Sequence, residues 1–205
     1  MAVDTRDVEL RIVRTADGLD LDLDPLQGLW TEAQYLRLTD QTNHLIEWTD
    51  GVLEVLPMPT RDHQRISALL YRALFTFVSA FGGIVLYSPL RLQIRPGAYR
   101  EPDLLVLLDE NDPRNGNDYW RGADLVIEIV SPDRPQRDLL EKPLNYAAAG
   151  IPEYWIVNPL DSTFQVLTLT DDGYSPRIFR SGDQATSAVL PSFSIAVDQV
   201  FLASV

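Results

Sequence analysis

Glu101-Pro102-Asp103-Leu104-Leu105-Val106-Leu107-Leu108 and Asp124-Leu125-Val126-Ile127-Glu128-Ile129-Val130 decide the fold of this chain. Both are short, almost wholly apolar runs, as in strands covered on both faces. Residues 111–119 between them are rich in Asn, Asp, Gly and Pro and read as a loop. Strands buried on both faces need helices over them, and the flanking sequence supplies two. Upstream, Ile66, Leu69, Leu70, Ala73, Leu74, Phe77 and Val78 recur at three and four, which predicts an amphipathic helix over 62–81 stopped by Gly82-Gly83. Downstream, a second helix is expected within 137–149, ending at Gly150.

Working outward, Thr31 with Gln34 predicts a capping box on a helix over 32–38. Asp50-Gly51 between Leu45–Trp48 and Val52–Leu56 predicts a β-hairpin. Further strands are expected at 84–87, 90–94, 154–157 and 164–168, and in the tail at 177–179, 188–190 and 193–197. Val8 to Val13 alternates like a short strand. Asp20, Asp22 and Asp24 read as a solvated edge, because the glycine and closing glutamate of a calcium loop are missing. No internal repeat or long linker divides the chain. The expectation is an α/β domain over 30–205, a mixed central sheet flanked by helices with additional β-hairpins, preceded by an extension over 1–29.

Composition narrows the chemistry. The chain has 205 residues and 45% hydrophobic content, enough for a substantial core. It has no cysteine, which excludes disulfides, thiolate metal sites and cysteine nucleophiles. No apolar run approaches the ~18 residues of a membrane span. The first ten residues lack the basic flank and apolar stretch of a secretory signal, so a cytoplasmic setting is expected. The formal net charge of -13 argues against sequence-blind coating of nucleic acid, which depends on neutralising phosphates.

Glu128 sits inside a buried strand, where an unpaired carboxylate is costly, so it needs a positive partner. The candidates are an arginine, Lys142, or a divalent metal shared with Asp103. Lys142 is the sole lysine among 17 basic residues. An ammonium is a compact point charge that a guanidinium does not replace beside a reacting group. The bland alternative is a surface ion pair with Asp138, four residues earlier. Pro143 complicates either role, since proline is poorly tolerated beyond the first helical turn and biases Lys142 away from the α region.

Four motifs in order carry a resemblance: Glu101-Pro102-Asp103; Val126-Ile127-Glu128-Ile129-Val130-Ser131-Pro132; Arg137-Asp138 with Lys142 and Tyr146; and Gly150-Ile151-Pro152-Glu153-Tyr154-Trp155-Ile156-Val157. Together with Ile46-Glu47, Asp50-Gly51, Pro57 through His63-Gln64, Gly173-Tyr174 and Leu190-Pro191-Ser192-Phe193, the sequence over roughly 30–201 resembles the Uma-two family. That family is a restriction-endonuclease-like group within the PD-(D/E)xK nuclease superfamily. The resemblance implies a restriction-endonuclease-like fold and hydrolysis of DNA phosphodiester bonds by a metal-activated water. It implies Mg²⁺ or Mn²⁺ held by Asp103, Glu128 and the carbonyl of Ile129, and a homodimer. The superfamily's lysine two residues past the glutamate is Val130 here, and the resemblance assigns its role to Lys142 on the following helix.

The resemblance also brings in His63 and Glu47 as auxiliary residues near the metal. Their alternatives are an exposed helix-start histidine and a hairpin surface residue. Tyr154 and Trp155 read as core. Ser131 lacks the context of a hydrolase nucleophile, and neither histidine is spaced for zinc. The competing functional reading is a catalytically inactive nuclease-fold protein that binds nucleic acid or a protein partner.

Overall fold

The computed structural model describes residues 10–202 apart from 15 and 17. Its centre is a six-stranded mixed sheet in the order β12-β11-β10-β9-β8-β5. The strands are β5 (Ile84–Tyr87), β8 (Leu104–Leu107), β9 (Leu125–Ile129), β10 (Glu153–Asn158), β11 (Thr163–Thr170) and β12 (Gly173–Phe179). Only β9 and β10 run parallel. Parallel neighbours require a crossover, and a helical segment over 137–148 provides it.

The two decisive runs are buried at every position of β8 and β9, and their period-2 alternation sends successive side chains to opposite layers. Leu104, Val106, Leu125, Ile127 and Ile129 face one core, where the long helix α2 (Arg61–Ser79) contributes Ile66, Leu70, Leu74 and Val78. The same core takes Val197 and Val200 from the last helix, α4 (Val197–Leu202). Leu105, Leu107, Val126 and Val130 face the second core with Tyr146 and Ile151. Tyr154 and Trp155 fall on opposite faces of β10, one in each core, both fully buried as expected.

A second, four-stranded sheet has the order β4-β3-β7-β6. It comprises β3 (Ile46–Thr49), β4 (Val52–Val55), β6 (Leu92–Arg95) and β7 (Ala98–Arg100). The hairpin at Asp50-Gly51 is as expected, with Glu47 opposite Glu54. The capping box on α1 (Glu32–Thr39) is present in full: the Gln34 amide donates to the Thr31 hydroxyl, and the Gln34 side chain accepts from the Thr31 amide. β1 (Arg11–Arg14) and β2 (Leu19–Asp22) form a small hairpin. The alternation expected from Val8 lies partly outside the described residues, and β2 is exposed throughout. No helix among the described residues is long and apolar enough to cross a membrane.

The structure adds a strand and corrects one expectation. β7 was not anticipated: Pro96-Gly97 turns the chain back to make a three-residue strand too short to show periodicity. The strand expected at 188–190 is instead β13 (Gln184–Thr186), paired with β14 (Ser194–Ala196). Residues 187–190 bend because their polar groups are engaged elsewhere: Ser187 Oγ and the Ala188 amide both donate to Glu153.

Candidate active site

Strand register brings the two predicted carboxylates together. β8 and β9 are antiparallel, with Leu105 opposite Val126 and Leu104 opposite Ile127. Continuing that register by one residue sets Asp103 against Glu128 at the same end of the sheet. Residues opposite one another share a face, so both carboxylates project toward the layer that holds Tyr146. Asp103 Oδ2 accepts the Ile129 amide proton at 2.7 Å, which ties its carboxylate to the end of β9.

The crossover delivers the cation. Arg137–Glu141 is a π-helical turn running directly into α3 (Lys142–Ala148). The Lys142 amide donates to the carbonyl of Arg137, five residues back. This wider turn resolves the conflict raised by Pro143, which becomes an early residue of α3. In a continuous α-helix its ring would press on the carbonyl of Leu139; a π turn supplies the extra room. Lys142 is therefore α-helical, contrary to the bias expected of a residue before proline. Its Nζ lies 2.7 Å from Glu128 Oε1 and 2.9 Å from Asp138 Oδ1. The ion pair with Asp138 exists as the spacing allowed, but it is buried and is not a surface pair.

Tyr146, one turn further along, donates its hydroxyl to the same Glu128 Oε1 at 2.7 Å. Asp138, Lys142 and Tyr146, spaced by four, thus present one helix face to Glu128. Tyr154 O–H donates to the carbonyl of Asp138 at 3.1 Å and fixes the start of that face. Burial opposes the charge on Lys142, but Glu128, Asp138 and Glu47 outweigh it and hold the ammonium above the usual lysine range. Burial also pushes the Glu128 carboxyl up; Lys142 pulls it back, and Asp103 and Asp138 add to the rise. This corner of the protein carries more negative charge than its cations balance.

His63 belongs to the group. Thr60 caps α2 by accepting the His63 amide, and the imidazole Nε2 lies 3.1 Å from Asp103 Oδ2. Burial disfavours the imidazolium, but the bond to Asp103 and the charges of Asp103, Glu128 and Asp138 raise its pKa overall.

Glu47 is no hairpin surface residue: it is buried, paired with Arg137 and, at 3.4 Å, with Arg100. Burial opposes its ionisation, yet Arg137, Lys142 and Arg100 lower its pKa below the ordinary value. Arg137 also reaches Glu54 at 2.9 Å, so this guanidinium ties the start of the crossover to the β3–β4 hairpin. Beside it, burial and the Glu47 charge push Glu101 up to about 8.

These groups open onto a cleft of about 650 Å³. Asp103, Glu128, Ile129, Asp138, Lys142 and His63 line it; Glu47 does not and stands behind Arg137. Tyr146 and Arg137 are the members whose roles the sequence did not reveal, and for Asp138 it offered only a surface pair with Lys142. The spacing of four along 138, 142 and 146 was available as a signal, but only knowing which helix face meets β9 gives it meaning.

A family model described as "Uma2: Putative restriction endonuclease" matches residues 32–198. Among solved structures, the chain is similar to the crystal structure of "a putative nuclease" from Anabaena variabilis, with a TM-score of 0.67 at 18% identity. That match covers 83% of this chain and 98% of the other, a likeness of fold. No curated protein sequence matches significantly.

Proposed function

The chain belongs to the Uma2 family of restriction-endonuclease-like proteins, and from that premise we propose a metal-dependent endonuclease that hydrolyses DNA phosphodiester bonds. One observation carries the reading. The sole lysine of the chain is buried against Glu128 in the cleft that also holds Asp103. A lysine kept solely for a surface ion pair would not be driven into a cluster of carboxylates, where burial opposes its charge.

The donor set fits Mg²⁺ or Mn²⁺. Asp103 and Glu128 are hard oxygen donors facing one cleft, and the carbonyl of Ile129 would complete the set. Among the described residues no three His, Asp or Glu side chains form a cage around one point. Mg²⁺ keeps several waters and takes only one or two protein carboxylates, so it does not require such a cage. When bound, such an ion polarises a phosphoryl oxygen and lowers the pKa of a coordinated water. The protein's own residues do the rest. Lys142, oriented by Asp138, stabilises charge developing on the phosphate. Tyr146 holds Glu128 by its Oε1, and His63 steadies Asp103 from the start of α2.

Nicking of supercoiled plasmid in Mg²⁺ or Mn²⁺ tests the proposal, with Asp103→Ala and Lys142→Ala as comparisons. The expected result is cutting by the unaltered protein and loss in both variants. Equal cutting by all three would point to a contaminant and remove the assignment. A homodimer is part of the same proposal, and sedimentation equilibrium checks it: a monomer at assay concentration removes that part.

One observation favours the second reading, an inactive nuclease-fold protein that binds a partner. Lys142, Arg137 and Arg134 are each already paired with carboxylates of the chain. Metal-independent binding of DNA with no cutting by any of the three proteins is the result that reading expects.

A further inference from the structure

The walls of the cleft are unlike a surface made for duplex DNA. Seven acidic side chains, of which burial favours the neutral form of Glu101 and Glu128, line it against three permanent cations, Arg134, Arg137 and Lys142. All three cations are engaged: Lys142 with Glu128 and Asp138, Arg137 with Glu47 and Glu54, and Arg134 with Glu54 at 2.8 Å. Duplex binding depends on neutralising phosphates spaced one charge per ~1.7 Å along the helix, and this cleft offers no row of cations to do so.

Apart from Thr60, His63 and Ser131, its remaining lining is apolar. Val55 closes β4, Leu56 and Met58 come from the segment between β4 and α2, and Pro159 and Leu160 from the turn after β10. Met58 and Leu160 are 68% and 54% exposed. Isolated exposed apolar side chains need no explanation, but these two come from separate loops and share the cleft with the carboxylates. Its volume of 650 Å³ lies within the ~300–1,000 Å³ of small-ligand pockets.

We infer that the cleft receives a single unpaired nucleotide, its base packed against the apolar walls around Met58 and Leu160 and its phosphate set beside Asp103, Glu128 and Lys142. The preferred substrate is therefore single-stranded or locally unpaired DNA. This rests on the nuclease reading for the nature of the ligand and adds its strandedness. A base inside a duplex has its faces covered by neighbours; only an unstacked base offers them to apolar side chains. Engagement through one or two phosphates also demands few cations, in keeping with a chain of net charge -13.

Three fluorescein-labelled DNAs test this: a short single strand, the blunt duplex of the same sequence, and that duplex with an internal unpaired loop. Binding is read by anisotropy across a salt series in Ca²⁺, and hydrolysis separately in Mn²⁺. The single strand and the looped duplex are expected to bind at least roughly tenfold more tightly than the blunt duplex. The slope of log K against log salt for the single strand should be about −0.7 to −1.4, the value for one or two phosphates. Met58→Ser and Leu160→Ser each remove apolar area that the base would bury and should each weaken single-strand binding about fivefold. Ile178→Ser, which alters an exposed apolar residue of β12 away from the cleft, should leave it unchanged.

Blunt duplex bound as tightly as single strand overturns the inference, as does binding indifferent to Met58 and Leu160. If every DNA resists hydrolysis while the single-strand preference persists, the nuclease reading fails and this inference stands. If blunt duplex is cut as readily as single strand, the nuclease reading stands and this inference falls. Absence of binding to all three DNAs overturns both.

Discussion

Glu128 and Glu153 lie on neighbouring parallel strands, both buried, and they are used in opposite ways. Glu153 is closed off by neutral donors of the protein itself. Trp155 Nε1 and Ser187 Oγ reach its Oε1 at 2.7 and 2.6 Å, and the Ala188 amide reaches Oε2 at 2.6 Å. It fastens the 187–190 bend to the sheet and lines no part of the cleft. Glu128 is met by an ammonium and a phenol, both on Oε1, and its carboxylate opens onto the cleft next to Asp103. Burial of a carboxylate therefore does not by itself mark a site. What matters is whether its oxygens are consumed by fixed neutral donors or held by a cation at the edge of a cavity.

The sharpest way to break the comparison is to remove the cation. Lys142→Met leaves Glu128 and Asp138 buried without their counter-charge and should cost about 3–5 kcal/mol in urea unfolding. Adding Glu128→Gln to that variant should restore much of the stability and none of the cutting, because a neutral pair no longer needs the ammonium. Non-additivity in that double-mutant cycle is the measurement; simple additivity would mean the two side chains are not coupled.

Next come the two glutamates themselves. Glu128→Gln should lower plasmid nicking by ~10²–10³-fold, the scale of losing one electrostatic element of a reaction centre. Glu153→Gln should leave nicking nearly unchanged and cost about 1.5–3 kcal/mol of stability, because a charged acceptor of three hydrogen bonds becomes a mismatched amide. A Glu153 variant that unfolds little and cuts poorly would erase the contrast.

Metal addition separates the pair in a third way. A divalent ion at about 100 times its dissociation constant stabilises a folded protein by ~2.7 kcal/mol. Mg²⁺ or Mn²⁺ should raise the melting temperature of the unaltered protein and of Glu153→Gln, but not of Glu128→Gln or Asp103→Asn. Chelation by EDTA should abolish both the shift and the nicking.

The smallest effects compare single donors. Tyr146→Phe removes the hydroxyl on Glu128 and Ser187→Ala removes one on Glu153, each costing about 0.5–1.5 kcal/mol or somewhat more. Only Tyr146→Phe should also slow cutting, since it frees the carboxylate that faces the cleft. Equal effects of the two variants on cutting would mean that the phenol is merely structural.

Much of this was legible in the chain itself. Period 2 and period 3.6 in the apolar residues set out β8, β9 and α2, and Thr31 with Gln34 set out the start of α1. These signals are local: each depends on which residues within a turn or a strand face the same way. Glu128 and Lys142 stood out because a carboxylate inside an apolar strand and a solitary lysine are compositional anomalies that need no knowledge of neighbours, whereas Asp103 and the grouping of the three came from the family resemblance. What the sequence could not carry was the fate of each polar group. Glu128 and Glu153 both sit in apolar strands, and only the packed structure shows that one meets Ser187 and Ala188 while the other meets Lys142. For Glu47 the sequence left an auxiliary acid near the metal and a hairpin surface residue both open, until Arg137, 90 positions away, was brought against it. Pro143 read as an obstacle until the π-helical turn over 137–141 made room for it. Hydrophobic periodicity is repeated along an element and survives in one dimension. The satisfaction of a buried charge depends on partners from distant stretches of chain, and tertiary structure alone decides which of them arrive.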